Sequence, residues 1–100
     1  MYYNETNNNT MFSSNMPNDF GTLQKARQDL IGEIEAIIEY DNHIHTTNNR
    51  LADETWTDIK NEELVHVGEL LALIDYLDSS QRKYVQKGIM EFNNRANGKY

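Results

Sequence analysis

The sequence predicts an all-α fold: an antiparallel two-helix hairpin with a short third helix, completed to a four-helix bundle by a second copy of the chain. Three observations point there. Two long segments repeat apolar residues at helical spacing, and a short break rich in Thr and Asn separates them. Each segment also carries a polar intrusion inside its apolar stripe, at positions that a hairpin brings level.

The first helix is predicted from Asp19, where Pro17, Asn18 and Asp19 supply start signals. Ala26, Leu30, Glu33, Ile37, Tyr40 and Ile44 then form one stripe, which Ile31, Ile34 and Ile38 widen. Glu33 is the acid within this apolar face, whereas Glu35 and Glu39 lie off it. The break Thr46-Thr47-Asn48-Asn49 combines turn and capping residues. A second helix follows over Arg50 to Asp78, with Asp53 and Glu54 placed to favour its dipole. Its stripe is Ala52, Trp56, Ile59, Glu63, His66, Leu70, Leu73 and Leu77, apolar except at Glu63 and His66. Ser79-Ser80 interrupts it, and Gln81 to Asn93 reads as a third helix with Tyr84, Val85, Gly88, Ile89 and Phe92 on one side. Gly88 costs about 1 kcal/mol relative to Ala in a helix interior, which predicts a close approach or a bend there.

The domain organisation expected is a disordered Asn-rich leader over residues 1–18, the helical unit over 19–93 and a flexible tail over 94–100. The leader holds six Asn and one Pro and has no periodicity. It contains no apolar run resembling a signal peptide or membrane span, so the expectation is a cytoplasmic protein without a membrane partner. The chain of 100 residues has no cysteine, which excludes a disulfide framework, an iron–sulfur cluster and a zinc knuckle. Of its 16 acidic residues, 14 lie between Asp19 and Asp78 against four basic ones. That acidic body argues against a nucleic-acid surface and suits a protein that attracts cations.

Ionised groups in an apolar interior must be paired, hydrogen-bonded or bound to a metal. Glu63-x-x-His66 points a carboxylate and an imidazole the same way, one turn apart. Counted from Asn48, Glu33 and Glu63 are equally distant, so both carboxylates reach the same height along the hairpin. A hairpin cannot cover its own broad apolar faces, and two copies would bring together four carboxylates and two imidazoles. That is the ligand set of a dinuclear carboxylate site in a four-helix bundle, here on a homodimer two-fold axis. Hard oxygen donors with one imidazole per ion suit iron or manganese. The competing reading of Glu33, Glu63 and His66 is a buried polar network that fixes dimer register. His43 and His45 read as solvated residues near the turn, with a surface site of Glu39 and His43 as the alternative. Glu62 and Glu69 read as solvent-facing, and Arg82, Lys83 and Lys87 as a solvated or interface face.

The segments Gly32-Glu33-Ile34-Glu35-Ala36-Ile37-Ile38-Glu39-Tyr40-Asp41 and Asn61-Glu62-Glu63-Leu64-Val65-His66 resemble the encapsulated ferritins, the half-length branch of the ferritin-like and rubrerythrin-like proteins. The likeness covers about Leu23 to Phe92. It implies a ferroxidase that oxidises ferrous to ferric iron with dioxygen at a di-iron site shared across a homodimer. It also implies a ring of dimers housed in an encapsulin shell, an encapsulin nanocompartment within the cytoplasm, feeding iron storage. By the same resemblance Glu33, Glu63 and His66 are the iron ligands, Tyr40 is a tyrosine that orients a ligand, and Glu35 is a carboxylate that guides ions inward. The chain departs from the family pattern at Gly32, which replaces a second guiding carboxylate, and at Glu39, which replaces an aromatic residue. An encapsulation tail is not evident in Phe92 to Tyr100. Alternative functions are peroxide reduction of the rubrerythrin kind, manganese chemistry at the same site, or a metal-free helical assembly or adaptor module.

Overall fold

The computed structural model describes residues 18–98; the rest of the leader and the last two residues lie outside the described residues. It contains three helices and no strand among the described residues, which are therefore all-α. Helix α1 runs Asn18–Thr46, α2 Arg50–Leu77 and α3 Arg82–Ala96.

Helices α1 and α2 form the expected hairpin. Its turn is built by side chains that would otherwise weaken a helix. The Thr46 hydroxyl donates to the Asn42 carbonyl at 2.9 Å, and the Asn49 backbone N–H donates to Thr47 Oγ1 at 3.1 Å. Asn49 then caps α2, its side-chain oxygen accepting from the Ala52 N–H at 2.9 Å. This satisfies one of the N–H groups that a helix start leaves without a partner. Lys60 on α2 reaches Asp41 on α1 at 2.9 Å.

The open end of the hairpin is fixed by Asp78, which is only 5% exposed. One carboxylate oxygen accepts from Arg27 of α1 at 2.9 Å, and the other accepts from the Gln81 backbone N–H at 2.9 Å. Arg82 folds back from α3 onto the side chain and carbonyl of Asp75. These bonds set the elbow at which α3 leaves the hairpin. The third helix continues to Ala96, three residues past the expected Asn93. It ends in a C-terminal cap in which the Gly98 N–H donates to the Arg95 carbonyl at 3.1 Å and Gly98 takes φ +71°. That left-handed conformation is the one glycine adopts without steric cost. At Gly88, where close approach was expected, an added Cβ would meet nothing within 4 Å among the described residues.

Leu23 and Ala26 are the only buried hydrophobic residues among those described. The Cα radius of gyration is 18.4 Å, against about 13 Å for a compact domain of 100 residues. Ile31, Ile34 and Ile38, expected to broaden the inner stripe, are 50%, 44% and 55% exposed. The reason is geometric: one neighbouring helix covers only the stripe centred on Ala26, Leu30 and Ile37, and these isoleucines turn past its edge. Fully burying such a side chain is worth about 1.5–3 kcal/mol, and much of that remains available to a partner. The four-helix bundle expected from the sequence requires that partner.

Candidate metal centre

The three polar intrusions converge. His66 Nδ1 lies 3.1 Å from Glu63 Oε1 on its own helix and 3.5 Å from Glu33 Oε1 across the hairpin. One donor atom from each of the three side chains falls within 4.8 Å of the other two. Donors on opposite sides of one ion, at bonds of about 2.0–2.2 Å, would be separated by about 4.2 Å. The triad is therefore close to the spacing that coordination requires.

Local sequence explains the placement. Glu63 and His66 are one turn apart on α2, so their side chains stack along its axis. Glu33 meets them because the three-residue turn gives the two helices equal run lengths to this level. Their exposure differs: the side chains of Glu33 and Glu63 are 26% and 20% exposed, while that of His66 is 50% exposed. The sequence places all three on buried stripes. Within one chain the burial is only partial, because the triad lines an open groove.

The charges are mutually dependent. A hydrogen bond with Glu63, reinforced by desolvation, pushes the Glu33 carboxyl above the ordinary value of 4.5. The same bond, accepted from Glu33, holds Glu63 below that value, with His66 acting in the same direction. His66 is raised above 6.5, chiefly by its hydrogen bond to Glu63. Two carboxylates and one imidazole are hard oxygen and borderline nitrogen donors, which fits iron or manganese and does not distinguish between them. Three ligands from one chain leave coordination positions open.

The triad opens into a groove of about 580 Å³, also lined by Asp29, Gly32, Ala36, Glu69, Leu70 and Leu73. Asp29 was not singled out by the sequence reading, and Glu69, read as solvent-facing, is exposed at the rim of this groove. Asp29 is one turn before Glu33 and Glu69 one turn after His66, and this spacing alone places them beside the ligands. Gly32 sits at the groove, where an added Cβ would meet open space.

Other expected residues lie elsewhere. Glu35 is exposed on the outer side of α1 and does not line the groove. Tyr40 is half-buried and meets the His43 ring edge-on at 6.2 Å; no hydrogen bond joins it to the triad among the described residues. His43, expected to be solvated, is half-buried against Trp56 with ring centroids 4.8 Å apart. The one-turn spacing of Tyr40 and His43 signals their edge-on contact, whereas the packing on Trp56 comes from the other helix. His45 is exposed as expected. No described helix is long and apolar enough to cross a membrane. No protein-family model, curated protein or solved structure matches the chain.

Proposed function

We propose that the chain is a ferroxidase whose di-iron carboxylate site is completed by homodimerisation over the Glu33–Glu63–His66 groove. The observation that carries this reading is the convergence of three ligand types from two helices at one level of the hairpin. A half-exposed imidazole and an incomplete ligand set are what a site looks like when its other half comes from a two-fold partner.

In this reading Glu33, Glu63 and His66 from each copy bind ferrous iron as the substrate. Two ferrous ions would each give up one electron, and the two electrons with two protons reduce dioxygen to hydrogen peroxide, while the ferric product moves on to a mineral sink. The chain's contribution is to hold the ligands at fixed separation. Because a coordinating carboxylate or imidazole must be deprotonated, ion binding competes with protons at Glu33 and His66, whose proton affinities are both raised. Asp29 and Glu69 give the groove an acidic lip that attracts cations. Tyr40 orients a ligand and Glu35 guides ions only in the assembled state, where a partner changes their surroundings.

The sequence resemblance extends the proposal to a ring of dimers within an encapsulin shell. Manganese in place of iron, or peroxide in place of dioxygen, would use the same ligands. The test is anaerobic loading with ferrous iron followed by air, recording ferric absorbance for the parent and for Glu63→Ala. Rapid ferric absorbance in the parent, lost in Glu63→Ala, supports the reading. Equal behaviour of the two proteins contradicts it, and turnover with peroxide alone or selective retention of manganese favours the alternatives.

A further inference from the structure

At the elbow where α3 leaves the hairpin, Leu30 of α1, Leu71 and Ile74 of α2 and Val85 of α3 wall an apolar recess of about 270 Å³. Leu71 and Val85 are 53% and 60% exposed, so the recess opens to water. An apolar side chain seated there would remove that surface from water. The charges at its rim are already engaged: Arg27 bonds Asp78 at 2.9 Å, and Arg82 bonds Asp75 at 3.1 Å. A charged occupant would have to break one of these pairs or enter unpaired, at a cost in desolvation. The recess therefore suits an uncharged, apolar segment.

Such a segment precedes α1 in the sequence. Residues 6–17 hold no charged side chain, and Met11 and Phe12 are adjacent within them. Helix α1 begins at Asn18, directly after Pro17. The proline ring disfavours helical backbone at the residue before it, so the chain leaves the helix axis at Met16. Reach then decides which side chain fits. Arg27 and Leu30, at the recess, are 9 and 12 positions beyond Asn18, about 14–18 Å along the helix. Phe12 is six positions before Asn18, and six extended residues span about 20 Å. Met16, two positions before, reaches only about 7 Å and falls short.

We propose that the segment before α1 folds back along that helix and seats Phe12 in the elbow recess, strapping α3 to the hairpin. Tethering favours this occupant over a free partner. A short flexible linker holds its end at about millimolar effective concentration, so a contact too weak to capture a separate molecule still forms within the chain. The strap adds an apolar tie to an elbow otherwise set by the polar contacts of Asp78, Arg27 and Arg82. The recess shares no lining residue with the Glu33–Glu63–His66 groove, and the strap does not depend on metal.

The chain has no cysteine, so paired substitutions read the contact directly. In the full chain with chelator, Phe12→Cys with Val85→Cys is compared with Phe12→Cys with Tyr76→Cys under mild oxidation. Tyr76 is 77% exposed, two positions past Ile74 on α2, and does not line the recess. A disulfide needs Cα atoms within about 7 Å, so the Val85 pair is expected to close within one chain about tenfold faster than the Tyr76 pair, or more. Equal rates, or closure only between chains, would overturn the proposal. Because oxidation can trap a passing encounter, hydrogen exchange of the parent and Phe12→Ser gives the second reading, with helix content matched by circular dichroism. Amides in the first turns of α3 should exchange about tenfold faster or more in Phe12→Ser. Exchange that does not change, or protection that the parent loses on dilution, would overturn the strap; the latter would assign the recess to another molecule.

Discussion

Glu33 and Glu63, on different helices, bring carboxylate oxygens within 4.8 Å of each other, and their interaction leaves Glu33 keeping its proton more tightly and Glu63 less tightly than usual. This contact makes the two acids separable by mutation. Glu33→Gln keeps the size and polarity of the side chain beside Glu63, so we predict that the metal-free fold keeps its melting temperature within a few degrees. Metal affinity should fall about 100-fold or more, since even loss of a residue supporting a ligand costs about 10–100-fold. Calorimetric titration with a divalent metal, beside thermal melts, checks both halves. Unchanged affinity would remove Glu33 from the ligand set.

The pH dependence should change sign with metal. His66 is raised above 6.5 by its bond to Glu63, so its contribution is complete below 6.5 and is lost as pH rises through the higher folded value. Glu33, also raised by its bond to Glu63, acts in the same direction from 4.5 upward. Glu63 is lowered by its bond from Glu33, so its contribution is present above 4.5 and is lost as pH falls below. We predict that the metal-free chain melts at lower temperature as pH rises through and beyond 6.5, whereas metal affinity rises because ligands must shed protons. Melts with chelator and with metal at several pH values read this directly. Parallel curves would contradict it.

Gly32 lies inside α1 with open space where its Cβ would be. We predict that Gly32→Ala stabilises the chain by about 1 kcal/mol through helix propensity, raising the melting temperature by about 4–8 °C for a domain of this size. Gly32→Glu should gain less stability but load cations faster, because it adds a carboxylate at the groove. Stopped-flow metal binding separates the two variants, and identical loading rates would show that charge at the lip is unimportant.

Arg27→Ala removes the cation from the nearly buried Asp78 carboxylate. Since Asp78 keeps the Gln81 N–H, the expected cost is about 1–3 kcal/mol. Chemical denaturation measures it. Loss of less than a few tenths would mean that the elbow is held by other contacts.

Most of the hairpin and the convergence of Glu33, Glu63 and His66 were legible from spacing. The apolar period places Glu33, Glu63 and His66 on inward stripes, and the position of the Asn48 turn brings them level. The flank of Ile31, Ile34 and Ile38 was not legible, because periodicity reports which residues share a side and not how wide a neighbouring helix is. Glu69 read as an ordinary solvent-facing acid and Asp29 carried no signal of its own; both line the groove of Glu33, Glu63 and His66. His43 was similarly hidden, since its burial depends on Trp56 from the other helix. The direction of α3 rests on Asp78 and Arg27, a pair 51 positions apart that no local pattern relates.

The most direct measurement is a crystal structure of the iron-loaded chain with anomalous scattering recorded at the iron edge. The expected result is two iron peaks astride a two-fold axis, bound by Glu33, Glu63 and His66 of both copies. Peaks elsewhere, or a second copy docked so that the groove stays open to water, would contradict a shared di-iron centre.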